Sequence, residues 1–340
     1  MSGHAVRDIL PVAGKPRLGL DGAIITAEIL RAGAGIGIVE PLDEGGAKIA
    51  PFGCLIAQHV GHVAAPVLVL AFFGPHVRTF ILAVAGGGRL DWFQSAAAGI
   101  ENPGLVMIGK AANKYTTNHT QSEAMSEWAL WQALDYFRHG PKHRAQQAAG
   151  EWARLDSREI RGSKWLIVGF GSIGASTGRR VMALGGEVTG MRRSQGLAEG
   201  ADRIVHPDAI MSELPGADVV LLCAPHTPET EGMANAGFFA AMKPDALFMN
   251  LGRGALVNES DLMAALDAGR PGHAALDVAS EEPLPSGNPL RAHPKVTLTP
   301  HDSPQTHGTI IGADDTFVEN LQRYFSGQPL KHLIDKSAFA

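Results

Sequence analysis

The stretch Lys164-Trp-Leu-Ile-Val-Gly-Phe-Gly-Ser-Ile-Gly174 constrains the fold more than any other part of the chain. A short β-rich run, Trp165 to Val168, meets Gly169, Gly171 and Gly174, and Ile173, Thr177, Val181 and Leu184 recur at helical spacing. Gly185 stands where a left-handed C-terminal cap belongs. The pattern predicts a strand, a tight turn and a helix. In that setting each glycine has a mechanical use. The first makes the turn, the second lets a pyrophosphate approach the backbone, and the third lets helix and strand pack closely. The anion then rests on unpaired N–H groups at the positive end of the helix dipole. Gly178, one turn on, permits a further close contact. Glycines alone are a weak signal, since the chain has 41; the flanking strand and helix make this a dinucleotide site.

A chain of 340 residues has room for two domains, each with its own core. A net charge of −5 gives no electrostatic footprint for nucleic acid, and no basic amphipathic stripe suits a membrane surface. The longest apolar stretch, Val63 to Gly74, contains Pro66 and is shorter than the ~20 residues that span a bilayer. Its run from Pro66 to Phe72 reads as a buried parallel strand. No basic region leads into an apolar core at the N-terminus, so no secretory signal is expected. Cys54 and Cys223 fit neither a disulfide framework nor a zinc pattern. The 14 histidines include pairs such as His59/His62 and His139/His143, which lack Cys or acidic partners and read as solvated. No metal site is expected, and the expected setting is the cytoplasm.

Before the glycine turn, Leu18 to Glu40 reads as strand, helix, strand, with Gly33, Gly35 and Gly37 between the last two. Val67–Phe73 and a helical run near Val77–Val84 form another such unit. Leu90-Asp-Trp-Phe-Gln then enters the small-residue loop Ser95-Ala-Ala-Ala-Gly99. The alternation predicts a parallel sheet covered on both faces. Thr120-Gln-Ser-Glu123 has capping-box form, ahead of a helix with Ala124, Trp128, Trp131 and Leu134 along one face. That stripe suits the core, and its two Trp also suit a partner surface. Arg138 to Ser163 reads as a polar connection, with Gly140 and Pro141 breaking the helix.

After the turn, Glu187-Val-Thr-Gly-Met191 is the second strand, and Arg192-Arg193-Ser194 lies at its end. An NAD site places an Asp or Glu about 20 residues past the loop, for the ribose 2′-hydroxyl. Two guanidinium groups replace it here, and such forks match phosphate oxygens. NADP(H) is therefore expected over NAD(H). Further strands read as Ala217–Cys223, Ala246–Asn250, Ala274–Val278 and Val296–Pro300, with Asn258 capping a helix and a last helix over Asp314–Phe325. Arg253, Asp277, Glu282 and His301 thus stand at or just past the C-terminal ends of successive strands, the edge at which open α/β sheets bind ligands.

Five motifs now stand in order: Val168-Gly-Phe-Gly-Ser-Ile-Gly174, Pro225-His-Thr-Pro-Glu-Thr-Glu-Gly232, Met249-Asn-Leu-Gly-Arg-Gly-Ala-Leu-Val-Asn258, Ala275-Leu-Asp-Val-Ala-Ser-Glu-Glu-Pro-Leu-Pro285 and Thr299-Pro-His301. In order and spacing the chain resembles the D-isomer-specific 2-hydroxyacid dehydrogenases, which include glyoxylate/hydroxypyruvate reductases. The likeness covers about residues 115 to 305, with weaker matches at Gln94–Ile100 and Thr117–Glu127. It implies two Rossmann-like α/β domains with the active site in a cleft between them. The dinucleotide-binding domain would run over 118–301, and a flavodoxin-like substrate domain would combine 1–117 with 302–340.

The same resemblance implies roles. Arg253 would hold a small 2-oxo acid by its carboxylate and carbonyl oxygens. His301 would protonate the carbonyl oxygen as hydride reaches C2, and Glu282 would fix its tautomer. Asp277 would orient the nicotinamide carboxamide, and the N–H groups of Ala98 and Gly99 would bind the substrate carboxylate. The cofactor would meet Gly169, Gly171, Ser172, Ile173 and Gly174, then Arg192, Arg193 and Ser194. Beyond these it would meet Cys223, Ala224, Pro225, Thr230, Leu251, Gly252, Arg253, Asp277 and His301. A homodimer through the dinucleotide domain is implied, with the Trp128/Trp131 helix contributing. The reaction expected is hydride transfer between NADP(H) and a small 2-oxo or 2-hydroxy acid of D configuration. The same scaffold also serves formate dehydrogenases, which carry Gln where Glu282 stands, phosphite oxidation, and dinucleotide-gated corepressors, so those uses stay open. Departures from the family pattern are Ala279, Arg291 where many glyoxylate/hydroxypyruvate reductases have Trp, Asp302-Ser-Pro after His301, and Glu101 where Asp is frequent.

Overall fold

A computed structural model describes residues 36–39, 54–57 and 67–71 as strands, and then residues 90–100, 102–194, 196 and 198–339. The helices expected within 18–40 and near 77–84, and Glu101, lie outside the described residues. The chain divides into two compact units, one of residues 1–119 and 311–340, the other of residues 120–310.

The second unit is built on seven parallel strands: β6 (Lys164–Val168), β7 (Glu187–Met191), β8 (Arg203–Val205), β9 (Val219–Leu222), β10 (Leu247–Asn250), β11 (His273–Leu276) and β12 (Val296–Leu298), in the order β12-β11-β10-β9-β6-β7-β8. The apolar runs of the central strands β6, β9, β10 and β11 are nearly continuous because both faces are buried, and the edge strands β8 and β12 are only partly buried. Leu166, Val168, Val220, Leu222, Phe248 and Leu276 face one core with Phe238, Phe239, Leu262 and Leu266. Trp165, Ile167, Val219, Leu221, Leu247 and Met249 alternate to the other face, against Trp128, Ala133, Phe137 and Val181. The strand order reverses between β6 and β9, and at such a switch point the loops diverge and leave a crevice for a ligand.

The first unit's five strands are β1 (Ile36–Val39), β2 (Cys54–Ala57), β3 (Val67–Ala71), β4 (Leu90–Ser95) and β5 (Lys114–Thr116), in sequential order. β3, β4 and β5 are parallel, but β1–β2 and β2–β3 pair antiparallel, so a wholly parallel sheet is corrected here. Residues 58–66 are too few for the crossover of a dozen or more that a parallel β2–β3 pair needs. Helix α1 (Pro103–Ala111) follows β4. Trp92, fully buried, stacks between Phe317 and Tyr324, and its indole donates to Thr116 Oγ1 at 2.8 Å.

Other expectations shift. α2 (Gln121–Phe137) starts without a side-chain cap from Thr120. The Glu123 carboxylate, the other half of the expected capping box, instead accepts from Ser176 at 2.8 Å and pairs with Arg180. Its tertiary partners win over the local one. On the same helix Ala124 and Trp128 are buried, whereas Trp131 and Leu134 are exposed. Gly140-Pro141 ends α2 but opens α3 (Gly140–Ala149), since proline at a first helical turn gives up no hydrogen bond. No residue of α3 is buried. Further helices are α4 (Ser172–Ala183), α5 (Ala236–Ala241), α6 (Glu259–Asp267) and α7 (His307–Phe325), and α7 begins earlier than its apolar stripe suggests.

Candidate active site

The glycine turn lies between β6 and α4. Gly169 has φ +90°, and a Cβ there would stand 2.4 Å from the Ala224 nitrogen, so only glycine fits. Gly174 packs on Ile167 and the Gly169 carbonyl, with room for a Cβ only 3.1 Å from Ile167. Around Gly171 a Cβ would meet nothing within 4 Å, so the turn is open on the side where the helix begins. Ser172, Ile173 and Gly174 head α4, where N–H groups have no carbonyl one turn back. An open glycine cradle on a helix N-terminus fits a pyrophosphate. Gly178 permits the close contact expected of it, with a Cβ there 1.9 Å from the Gly200 carbonyl in the loop before β8 and 3.3 Å from Val188 in β7.

At the end of β10 the chain turns through Leu251, Gly252 and Arg253. The turn is tied by Asn250, wholly buried, whose Oδ1 accepts from Gly252 N and whose Nδ2 donates to the Arg253 carbonyl, both at 2.9 Å. The Arg253 guanidinium donates to the Gly252 carbonyl at 2.8 Å. A Cβ on Gly254 would fall 1.9 Å from the Ala279 carbonyl group. This turn therefore lies flat against the segment that follows β11.

That segment carries the acid. Glu282 Oε2 lies 2.7 Å from His301 Nδ1, and its Oε1 accepts from Ala279 N at 3.0 Å. The second bond aims the carboxylate, and the first leaves Nε2 as the outward nitrogen of the ring. His301 itself is left-handed, with φ +56°, a conformation that costs energy in any residue but glycine. Asp277, 2 % exposed, supplies the compensation. Its Oδ1 accepts from Thr299 Oγ1 at 2.5 Å, Asp302 N at 3.1 Å and Ser303 N at 3.2 Å, while Oδ2 shares Ser303 N at 3.2 Å. Its carbonyl takes His301 N at 2.8 Å. Thr299 is fixed in turn by the Trp128 indole at 3.1 Å. Among the described residues the Ser303 hydroxyl is buried with no hydrogen-bond partner, as a site awaiting a polar ligand would be.

Around the turn after β7, Arg192 donates to the carbonyls of Ser194 at 3.0 Å and Gly196 at 3.4 Å. A hydrogen bond from Thr227, then the Glu229 backbone N–H and, most weakly, the Arg193 charge hold the exposed Glu229 carboxyl below its ordinary range. No acid stands beside the arginines in the chain, but the fold supplies this one. Cys223 donates to the Gly169 carbonyl at 3.4 Å, and burial pushes its thiol up to about 12, so it packs rather than reacts. Thr230 staples its own turn, donating to Pro225 O and accepting from Thr227 N, both at 2.8 Å. Ala98 and Gly99 lie in the first unit, half-buried on the loop after β4. Asn250, Thr299 and Trp128 are support residues to which the sequence assigns no such role. Only the place of Asn250 at a strand end, and of Thr299 before Pro300-His301, hints at them. Among the described residues no three His, Cys, Asp or Glu converge as metal ligands, and no helix is long and apolar enough to cross a membrane.

A family model, "D-isomer specific 2-hydroxyacid dehydrogenase, NAD binding domain", matches residues 130–303. The chain belongs to that family. It is an NAD(P)-dependent dehydrogenase with a Rossmann-type nucleotide domain. A glyoxylate/hydroxypyruvate reductase A of Serratia proteamaculans is 33% identical over 260 residues, which are 74% of this chain and 82% of that protein. Among solved structures, a family member from Aeromonas salmonicida aligns with a TM-score of 0.68 and 33% identity, covering 78% of this chain and 85% of that one. An NADPH-dependent glyoxylate/hydroxypyruvate reductase from Sinorhizobium meliloti, solved with NADP and sulfate, aligns with a TM-score of 0.65 and 28% identity, covering 74% and 80%.

Proposed function

We propose that the chain is a cytoplasmic NADPH-dependent reductase of small 2-oxo acids, glyoxylate and hydroxypyruvate first, that yields achiral glycolate from glyoxylate and the D-2-hydroxy acid from the larger substrates. The observation that carries this reading is the Glu282–His301 pair, 2.7 Å apart, beside the Arg253 turn. A bound NADPH supplies the hydride. Arg253 grips the substrate carboxylate and carbonyl oxygen, since a planar fork offers two parallel donors. His301, held through Nδ1 by Glu282, gives its Nε2 proton to the carbonyl oxygen as charge develops there. Asp277 holds the His301 turn with Oδ1 and, through Oδ2, orients the carboxamide with the help of the Ser303 hydroxyl.

A bound cofactor's pyrophosphate would rest on Gly171, Ser172 and Ile173. Arg192, Arg193 and Ser194 take the 2′-phosphate, which favours NADP(H) while admitting NAD(H). Residues 118–301 act as the nucleotide domain, and 1–117 with 302–340 as the substrate domain, whose Ala98 and Gly99 N–H groups meet the carboxylate. A homodimer forms through the nucleotide domain, where Trp131, Leu134 and Trp152 leave large apolar groups exposed and α3 buries nothing.

The test is loss of NADPH absorbance with glyoxylate, hydroxypyruvate, pyruvate and phenylpyruvate, repeated with NADH. Turnover of glyoxylate and hydroxypyruvate, faster with NADPH, is expected. Tight NADPH binding with no turnover of any of them would overturn the reading and favour a nucleotide-gated binding module.

A further inference from the structure

The loop that presents Glu282 has no regular structure of its own, so something must fix where the carboxylate stands. We infer that Glu259, in the first turn of α6, is a positioning residue that acts on the proton donor through this loop. It rests on the reading of Glu282 and His301 given above.

Glu259 reaches both ends of the loop. Its Oε1 accepts from Ser280 N at 2.7 Å, and its Oε2 accepts from Asn288 Nδ2 at 3.4 Å. Ser280 is one residue past Ala279, whose N–H aims Glu282. Asn288 caps the turn over Pro289–Ala292, with Oδ1 accepting from Leu290 N at 2.9 Å. Leu290 is buried and anchors that end in the core. From the far side Arg291 donates to the carbonyls of Pro285 at 3.0 Å and Leu284 at 2.5 Å, which ties the middle of the loop to its exit.

Glu259 lies in the same stretch of chain as Arg253 and Gly254. One short segment thus carries the substrate guanidinium and also holds the loop bearing the acid. Gly254, pressed on Ala279, sets the distance, and the Glu259 carboxylate sets the register. A carboxylate at a helix N-terminus has a simpler use, as a charge on the dipole. That use needs the charge, whereas a brace needs only the acceptor oxygen on Ser280.

Glu259→Gln keeps that acceptor and loses the charge; Glu259→Ala loses both. With glyoxylate or hydroxypyruvate and NADPH, Glu259→Ala is expected to lower kcat roughly tenfold to a hundredfold, because a small misplacement of an acid–base group is costly. The KM for NADPH should hold, and Glu259→Gln should return to within about threefold of the parent kcat. In Glu259→Ala/Glu282→Gln the loss should equal that of Glu282→Gln alone, since a residue acting only through another adds nothing once that one is gone. A second readout needs neither substrate nor cofactor. Long-range 1H–15N spectra of the free protein should show the His301 ring with its proton fixed on Nδ1 in the parent and in Glu259→Gln, and averaged in Glu259→Ala. An unchanged ring in Glu259→Ala, losses in the double variant that multiply, or equal losses in the Gln and Ala variants would overturn the inference. Because the spectra do not depend on turnover, the inference can fail or stand apart from the substrate assignment.

Discussion

The turns at the ends of β10 and β12 and the turn at the end of β7 sit on one edge of one sheet, yet they are held in opposite ways. Asn250, buried, ties the Arg253 turn, and Asp277, buried, ties the His301 turn, each through a side chain inside the fold. The Arg192 backbone N–H reaches Val205 O in β8 at 3.2 Å, but among the described residues its guanidinium donates to carbonyls of its own turn, Ser194 and Gly196. The difference follows from the work proposed for each. Proton and hydride transfer tolerate little misplacement, so their groups are over-determined even at the cost of a left-handed histidine. Gripping a phosphate needs charge more than position, and a surface loop suffices.

Breaking a pinned turn should have the largest effect. Asp277→Ala frees the N–H groups of Asp302 and Ser303 and is expected to lower kcat roughly a hundredfold. A loss of less than about threefold would mean that His301 keeps its place unaided. Removing the arginine pair at the end of β7 comes next. Arg192→Ala with Arg193→Ala should lower kcat/KM for NADPH about tenfold to a hundredfold and for NADH less than about twofold. Equal losses would show that neither arginine touches the 2′-phosphate.

Acid offers a third separation. Burial, aided by His293 and opposed by Asp135, pushes the His273 imidazole down from 6.5 to about 4. It stacks on Tyr136 at 5.4 Å, and its Nε2 lies 2.9 Å from Thr297 Oγ1, under the strands that carry the pinned turns. The folded state favours the neutral ring, so this contribution is whole above pH 6.5 and is lost as pH falls towards about 4. Denaturant titrations should show roughly 1–3 kcal/mol lost over that range, and less in His273→Gln. Smallest of all, Glu229→Gln removes a carboxylate within range of the Arg193 charge and should improve kcat/KM for NADPH by about twofold to threefold.

The pinned region was also the more legible in sequence, for a local reason. Six of the second unit's seven strands could be read from their β-rich runs, whereas the edge strand β8, three residues that begin with an exposed arginine, could not; Gly169, Gly185 and Asn258 mark turns and caps that need only near neighbours. The motif residues Arg253, Glu282 and His301 could be picked out because they fall at strand ends. What stayed hidden depends on partners far along the chain. Glu123 reads as a capping residue until Arg180 and Ser176 claim it. Trp131 reads as core until α2 is packed with that side outward. The antiparallel pairing of β2 with its neighbours reflects connection length, which periodicity does not report. Thr299 stands in a motif and Trp128 in an apolar stripe, but neither shows their joint use, which is set by a 3.1 Å contact across 171 residues.

The central claim is direct hydride transfer to C2 of a 2-oxo acid with proton delivery from His301. It is tested most directly by reducing hydroxypyruvate with NADPH deuterated at nicotinamide C4, with separate samples for the two faces, and analysing the product. The account predicts D-glycerate with deuterium on C2 from one labelled face and none from the other. An L product, or a D product without deuterium from either face, would contradict it.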